Sequence, residues 1–95
     1  MLNKLFEIIV DRKMNPVEGS YTNQLIESGY PGAAQKVGEE AVEVIIAAGN
    51  QGRQRTIEES ADLLYHLFVL LVQQGISLSE VEAELENRHT ESGKR

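Results

Sequence analysis

Two groups of carboxylates stand in segments that otherwise have the pattern of hydrophobic helices. The first group lies in residues 36–43, which read KVGEEAVE, and the second contains Glu59 and Asp62. An unpaired carboxylate in a packed interior is costly, or it takes up a proton to lose its charge. Both groups therefore need a compensating partner, and a divalent cation is one candidate.

Helical spacing lines up the polar residues of each group on one face. The first stripe contains Lys36, Glu40, Glu43 and Ala47, and the second contains Glu59, Asp62 and His66. If the two helices pair antiparallel, the stripes face each other and their carboxylates repel. Mg²⁺ or Mn²⁺ would resolve this repulsion because both prefer oxygen ligands and bridge to phosphate oxygens. Zinc is disfavoured because the chain has no cysteine and offers only one nearby imidazole.

Each pattern taken alone has an ordinary structural explanation. Glu-Glu-x-x-Glu on one helix is typical of a solvated face, and Lys36 alone is typical of a surface residue or an ion-pair partner of Glu40. His66 alone is typical of a core histidine that is hydrogen-bonded to a neighbour. The two clusters together are more specific, because the second interrupts an apolar helix, so both metal binding and a solvated face stay open on the pattern alone.

Composition limits the class of protein. The chain has 95 residues, of which 41% are hydrophobic and 5% aromatic, and this predicts one domain, residues 1–95, with an aliphatic core. The net charge of −6 disfavours a nucleic-acid partner. No apolar run reaches the length of a membrane span, and the N-terminus lacks the hydrophobic region of a signal peptide. The absence of cysteine fits a reducing cytosol, so a cytoplasmic location is expected.

Apolar periodicity predicts an all-α fold of four to five helices with no strand. The predicted helices cover residues 2–13, a short segment that Ser20 or Thr22 caps and Gly29 closes, and residues 33–48 and 54–74. Gly75 is expected to end the helix over 54–74, and a capping box of Ser77 and Glu80 is expected to open a fifth helix that runs to about residue 88. Residues 89–95 are expected to form a frayed tail. Residues 14–32 are interpreted as loop-rich, with turns at Asn15-Pro16 and Tyr30-Pro31-Gly32, and this region is either a surface connection or a substrate-facing loop.

The fourth predicted helix is apolar on nearly every side between Ala61 and Val72. Such a helix is expected at the centre of a bundle, yet a chain of this length has few helices to surround it. We therefore expect an antiparallel helix bundle that is completed by homodimerisation.

The sequence resembles the all-α, MazG-type nucleoside triphosphate pyrophosphohydrolases, which carry the pattern Lys-x-x-Glu-Glu-x-x-Glu followed by Glu-x-x-Asp. It is most similar to the phosphoribosyl-ATP pyrophosphohydrolase family of histidine biosynthesis. The segments that carry this resemblance are KVGEEAVEVIIAA (36–48), ADLLYHL (61–67) and GSYT (19–22). One departure is that residues 30–34 read YPGAA, where the family often has an aspartate followed by a basic residue.

The resemblance implies a Mg²⁺-dependent, or Mn²⁺-dependent, hydrolase. It would split the α–β phosphoanhydride of phosphoribosyl-ATP into phosphoribosyl-AMP and pyrophosphate. The implied metal ligands are Glu40, Glu43, Glu59 and Asp62. Glu39, or Glu43 if it does not ligate the metal directly, would accept the proton of the attacking water. The implied substrate contacts are Lys36, His66, Arg12, Lys13, Ser20, Tyr21 and Thr22, and His66 has the alternative role of orienting Asp62.

Two other functions fit the same residues. One is a related enzyme that removes pyrophosphate from canonical or damaged nucleotides. The other is a non-catalytic helical dimer whose carboxylates are structural or bind metal only. The segments around Tyr21 and His66 favour the histidine-pathway family over the enzyme that acts on other nucleotides. The complete set of four acidic positions disfavours the non-catalytic dimer.

Overall fold

The computed structural model describes residues 1–92, which form five helices and no strand. The helices are α1 (Leu2–Met14), α2 (Tyr21–Glu27), α3 (Gly29–Asn50), α4 (Arg53–Gln73) and α5 (Leu78–Ser92). The predicted all-α class is confirmed.

Side-chain caps and glycines set several helix ends where the sequence predicted them. Ser20 caps α2, because its hydroxyl accepts a hydrogen bond from the backbone N–H of Asn23 at 3.2 Å. Ser77 and Glu80 form a reciprocal capping box at the start of α5, with backbone-to-side-chain bonds of 2.8 and 3.2 Å. Gly75 follows α4 with φ of 72°, a left-handed conformation that costs glycine little.

Two predicted boundaries are wrong. Residues 30–32 do not form a turn but belong to the first turn of α3, which begins at Gly29 directly after α2. Pro31 is compatible with this position, because the first N–H groups of a helix have no intrahelical partner. The helix α5 continues through Ser92, past the predicted end at Arg88, and the remaining part of the predicted tail, residues 93–95, lies outside the described residues.

The hydrophobic core lies at the C-terminal half of α4. Phe68, Val69 and Val72 pack there against Phe6 and Ile9 of α1, with Leu25 and Ala33 completing the cluster. The rings of Phe6 and Phe68 meet edge to face with centroids 5.3 Å apart, a favoured aromatic geometry. This core packs α1 and α2 against the C-terminal end of α4. The N-terminal half of α4 packs against α3.

The helices α3 and α4 pair along their length and are joined by a two-residue connection, Gln51 and Gly52. Glu43 lies next to Glu59, and the charge of Asp62 acts on Glu40. Residue numbers therefore run in opposite directions along the two helices: the later α3 residue meets the earlier α4 residue. This is the arrangement of an antiparallel pair. The predicted antiparallel hairpin is therefore confirmed, and it brings the two carboxylate groups face to face.

Apolar side chains remain exposed on the outer faces of this hairpin. Among the large aliphatic side chains of these two helices, the largest exposed fractions are those of Ile45, at 71%, and Val42, at 53%. Ile57 and Leu64 are also exposed, so the single chain does not enclose α4 on every side. Among the described residues no single helix is long and apolar enough to cross a membrane; α4 together with α5, bent by 107°, meets the length and composition criteria.

Candidate functional site

Three glutamates from the two paired helices converge at one point. Glu40 and Glu43 come from α3 and Glu59 comes from α4, and each offers an oxygen within 4.8 Å of the other two. The spacing of Glu40 and Glu43 by three residues puts both on the face of α3 that meets α4. We call these three residues the carboxylate cluster.

Two oxygens of the carboxylate cluster are buried without a hydrogen-bond partner in the part of the chain that the structure describes. They are Oε2 of Glu40 and Oε2 of Glu59. Glu59 is only 5% exposed, so water does not compensate its charge. The oxygen-only donor set and these two unpartnered atoms fit a hard divalent cation such as Mg²⁺ or Mn²⁺.

The mutual repulsion of the cluster changes its protonation. A hydrogen bond with Glu59 and the negative charge of Glu59 raise the pKa of Glu43 to about 7. Burial, followed by the neighbouring carboxylates of Glu59 and Asp62, raises the pKa of Glu40. The pKa of Glu59 is lowered, mainly because Glu43 hydrogen-bonds to it. The pKa of Glu43 therefore lies near neutral pH, while that of Glu59 lies below its ordinary value.

Arg55 is the cation next to the cluster. Its Nη2 donates to Oε1 of Glu59, and its Nη1 donates to Oε1 of Glu58. These two carboxylates raise the pKa of Arg55, with the Glu58 hydrogen bond as the largest cause. Arg55, Glu43 and Glu59 line a cavity of about 250 Å³, together with Ile46 and Gln51.

Asp62 lies at the edge of the cluster and is not one of its three converging members. The side chain of Asp62 is exposed, and its negative charge contributes to the raised pKa of Glu40. The backbone carbonyl of Asp62 accepts a hydrogen bond from Nδ1 of His66 at 2.8 Å. His66 therefore contacts the main chain of Asp62 and not its carboxylate.

Lys36 and Glu39 form a surface pair outside the cluster. Their charged groups are 3.8 Å apart, and both side chains are more than 40% exposed. Glu39 also accepts a hydrogen bond from Nε2 of Gln35 at 2.9 Å. The partner of Lys36 is thus Glu39, and not Glu40 as the i, i+4 spacing suggested. Of the two predicted proton acceptors, the structure brings Glu43 into the cluster and leaves Glu39 outside it.

A group of aromatic and hydroxyl side chains joins α2 to α4. Nδ1 of His66 must donate to the carbonyl of Asp62, so in the neutral ring Nε2 accepts from Tyr21 Oη, 3.1 Å away. Tyr21 stacks on Tyr65 with ring centroids 6.2 Å apart, and the hydroxyls of Thr22 and Tyr65 are hydrogen-bonded. We call Tyr21, Thr22, Tyr65 and His66 the α2–α4 clasp.

The basic residues at the end of α1 have structural partners. Nζ of Lys13 donates to the carbonyl of Val72 at 3.2 Å, and Val72 is thirteen residues, about 20 Å of helix, from Glu59. The structure therefore does not bring Lys13 to the cluster. Arg12 lies 3.6 Å from Asp11, and its carbonyl accepts from the buried Asn23. The hydroxyl of Ser20 serves as the cap of α2.

The sequence model of the phosphoribosyl-ATP pyrophosphohydrolase family matches residues 2–89. The chain belongs to this family. The match includes both helices of the carboxylate cluster and the whole of the α2–α4 clasp.

Curated relatives agree with this membership. A phosphoribosyl-ATP pyrophosphatase of Sulfurisphaera tokodaii is 52% identical over 88 residues, which are 93% of this chain and 94% of that protein. One of Listeria welshimeri is 56% identical over 88 residues, covering 93% of this chain and 84% of the relative. A histidine biosynthesis bifunctional protein HisIE of Caldanaerobacter subterraneus subsp. tengcongensis is 53% identical over 89 residues, and these are 94% of this chain but only 43% of that longer protein.

Sequence reasoning did not select three residues that the structure places in or beside these networks. They are Arg55, Tyr65 and Asn23. Arg55 was detectable, because it precedes Glu59 by four residues on the same predicted helix. Tyr65 lies in a segment that carries the family resemblance, but its hydroxyl partner is 43 residues away. The amide group of Asn23 donates to a carbonyl 11 residues away, so helical spacing identified neither contact.

Proposed function

We propose that the chain hydrolyses phosphoribosyl-ATP to phosphoribosyl-AMP and pyrophosphate, an early step of histidine biosynthesis. The observation that carries the proposal is the carboxylate cluster, with its two unpartnered buried oxygens, in a chain of this family. Hydrolysis of a triphosphate requires a site that concentrates and then neutralises negative charge, and a cluster of oxygen ligands for divalent cations meets that requirement.

We further propose that Glu40, Glu43, Glu59 and Asp62 hold Mg²⁺, with Mn²⁺ as an alternative. The first three already converge, and the exposed Asp62 lies close enough for its charge to act on Glu40. When bound, the cation supplies neutralisation of phosphate charge and orientation of the reacting groups. A cation also removes the repulsion that raises the pKa of Glu40 and Glu43.

The proton of the attacking water goes to a carboxylate of the chain. The water oxygen forms a bond to the α-phosphorus, the bond to the bridging oxygen breaks, and pyrophosphate leaves with the bonding electron pair. Glu43 is the preferred acceptor, where it does not itself ligate the cation, because it belongs to the carboxylate cluster and lines the adjoining cavity. Glu39 is the alternative, and it would have to leave its surface pair with Lys36 to reach the cluster.

The proposed substrate contacts differ in how much support they have. Lys36 is half-exposed on the helix face of Glu40, and its ion pair with Glu39 is long and solvent-exposed, so a phosphate can replace Glu39 as its partner. Tyr21 is 48% exposed on the α2–α4 clasp and offers a ring face. His66, Arg12, Ser20 and Thr22 remain proposed contacts although each already has a partner within the chain. Lys13 has the least support, because its ammonium group is bonded at the far end of α4.

We also propose that the active molecule is a homodimer. The support is the exposed apolar face of α3 and α4, which continues into a groove between the two helices lined by Ala48, Ile57, Ala61 and Leu64. A monomeric protein seldom leaves such a continuous apolar surface in water. A second copy of the same face would cover it with a two-fold interface.

Replacing Glu59 tests the role of the carboxylate cluster. Glu59→Gln removes the buried charge but keeps the size of the side chain, so we expect pyrophosphate release to fall by at least about 100-fold with helicity retained. Calorimetry should show weaker Mn²⁺ binding in the same variant. Glu82→Gln, on the exposed surface of α5, makes the same change of charge and should match the wild type. Full activity of Glu59→Gln would contradict the metal assignment.

A further inference from the structure

Arg55 occupies a position that does little for its own helix. It lies in the first turn of α4, where the partial positive charge of the helix N-terminus disfavours a cation. Its two acidic partners, Glu58 and Glu59, follow it in the chain, which is the less favourable order for an ion pair within a helix. Ion pairing within α4 therefore gives only a weak reason for an arginine at this position.

The contacts of Arg55 relate it to the carboxylate cluster. Its guanidinium donates to Oε1 of Glu59, while Oε2 of the same carboxylate is buried and has no partner among the described residues. The Arg55 side chain is 51% exposed, whereas that of Glu59 is 6% exposed. Water can therefore hydrate the arginine when it leaves the pair, whereas water cannot reach Glu59. Glu59 is the fixed member of this pair and Arg55 the exchangeable one.

A divalent cation at the cluster would compete with Arg55 for Glu59. Both need the same carboxylate, and two cations on one carboxylate repel each other. The guanidinium would then face the cavity of about 250 Å³ that it lines together with Glu43 and Glu59. If phosphate groups occupy that cavity, the displaced guanidinium has a new anion within reach, and its planar set of donors suits phosphate oxygens.

We propose that Arg55 has two successive partners. It binds Glu59 in the metal-free protein, and it binds the pyrophosphate portion of the substrate once a divalent cation has taken Glu59. This inference rests on the proposed function, because it needs a cation at the cluster and a phosphate in the cavity. Arg55 thereby pairs with the buried carboxylate before the cation arrives, and afterwards it supplies a positive charge for the leaving group.

The two roles predict opposite effects of one substitution. Arg55→Gln removes the competitor for Glu59, so Mn²⁺ should bind the substrate-free protein about fivefold more tightly, the scale of a partly exposed ion pair. The same variant loses a charged donor to phosphate, so pyrophosphate should bind the Mn²⁺-saturated protein about tenfold more weakly. A purely structural arginine would not tighten one affinity and weaken the other.

Two further variants complete the experiment, in which calorimetry measures both affinities. Arg53→Gln makes the same change of charge two residues earlier in α4, at an exposed side chain, and should leave both affinities unchanged. Arg55→Lys keeps the charge but loses the planar donors, so Mn²⁺ affinity should stay near the wild-type value and pyrophosphate affinity should fall to an intermediate one. Circular dichroism shows whether each variant keeps its helices.

The outcomes separate this inference from the proposed function. If the wild type binds Mn²⁺ and releases pyrophosphate from phosphoribosyl-ATP, but Arg55→Gln leaves either affinity within twofold of the wild type, the two-partner role of Arg55 is wrong and the proposed function stands. If the wild type neither binds Mn²⁺ nor hydrolyses the substrate, the proposed function fails, and this inference fails with it.

Discussion

At the scale of single residues, the carboxylates of the metal-free cluster differ in their affinity for a proton. Glu59 lies beside Glu43 and raises the pKa of Glu43 to about 7. In the unfolded chain the two carboxylates separate, and the pKa of Glu43 returns to about 4.5. The folded protein therefore binds a proton at Glu43 more tightly than the unfolded chain does.

This difference predicts how the metal-free stability depends on pH. A group whose pKa is raised on folding contributes stability that is fully present below its unfolded value and is lost as the pH rises through its folded value. In the presence of a chelator, we therefore expect the free energy of unfolding to fall as the pH rises from about 4.5 to about 7. Denaturant titrations at a series of pH values measure this fall.

The Glu43→Gln variant is the control for the pH experiment. Glutamine cannot ionise, so this variant should lose most of the fall between pH 4.5 and about 7, with a smaller part left to the raised pKa of Glu40. Saturating Mg²⁺ should also reduce the fall in the wild type, because the cation stabilises the ionised cluster. A wild-type stability that rises over the same range would contradict the protonation assigned to Glu43.

At the scale of elements, the antiparallel pair α3–α4 creates the site and α2 is fastened to it by the α2–α4 clasp. The pair brings residues that are 16 and 19 positions apart in the chain, Glu43 and Glu40 against Glu59, to one point. The clasp then holds the start of α2 against the middle of α4 through the bond between Tyr21 and His66. The loop before α2 is thereby oriented relative to the cluster.

Removing one hydroxyl tests the clasp. Tyr21→Phe leaves Nε2 of the buried His66 without its donor, so the protein should lose about 1 kcal/mol of stability. Tyr30→Phe removes a hydroxyl from a side chain that is 62% exposed and should change stability little. Denaturant unfolding of both variants gives the comparison, and equal stabilities would show that the Tyr21 bond contributes nothing.

The sequence predicted the elements well where periodicity and caps agree, and poorly where they conflict. Ser20, Ser77 and Gly75 end or begin helices at the predicted places, since each acts through its own backbone neighbours. Residues 30–32 were predicted as a turn because proline and glycine usually interrupt a helix, but Pro31 falls in the first helical turn, where proline is tolerated.

The candidate site likewise contains features that the sequence predicted and features that it did not. Helical spacing was enough to predict that Glu40, Glu43 and Glu59 meet, because an antiparallel hairpin with a short connection has few possible registers. The partner of His66 was not predictable, since its ring contacts the Asp62 backbone and the distant Tyr21. The position of Lys13 against Val72 likewise depends on how α1 packs, which spacing within α1 does not specify.

At the scale of the whole molecule, the exposed apolar face of α3 and α4 predicts a dimer. The chain has a mass of 10.6 kDa, so light scattering after size exclusion should give about twice that value. Ile57→Glu places a charge in the centre of the face and should produce a monomer. Val17→Glu alters an apolar side chain of similar exposure in the loop before α2 and should leave the dimer intact. A wild-type monomer would contradict the proposed interface.

The central claim is that the carboxylate cluster serves the hydrolysis of phosphoribosyl-ATP with the help of a divalent cation. The most direct test measures pyrophosphate release from phosphoribosyl-ATP and from ordinary deoxynucleoside triphosphates, each with Mg²⁺ and with an excess of chelator. We expect release from phosphoribosyl-ATP that requires Mg²⁺ and is much faster than release from the other nucleotides. Equal or faster turnover of the deoxynucleotides, or release that survives the chelator, would contradict the account.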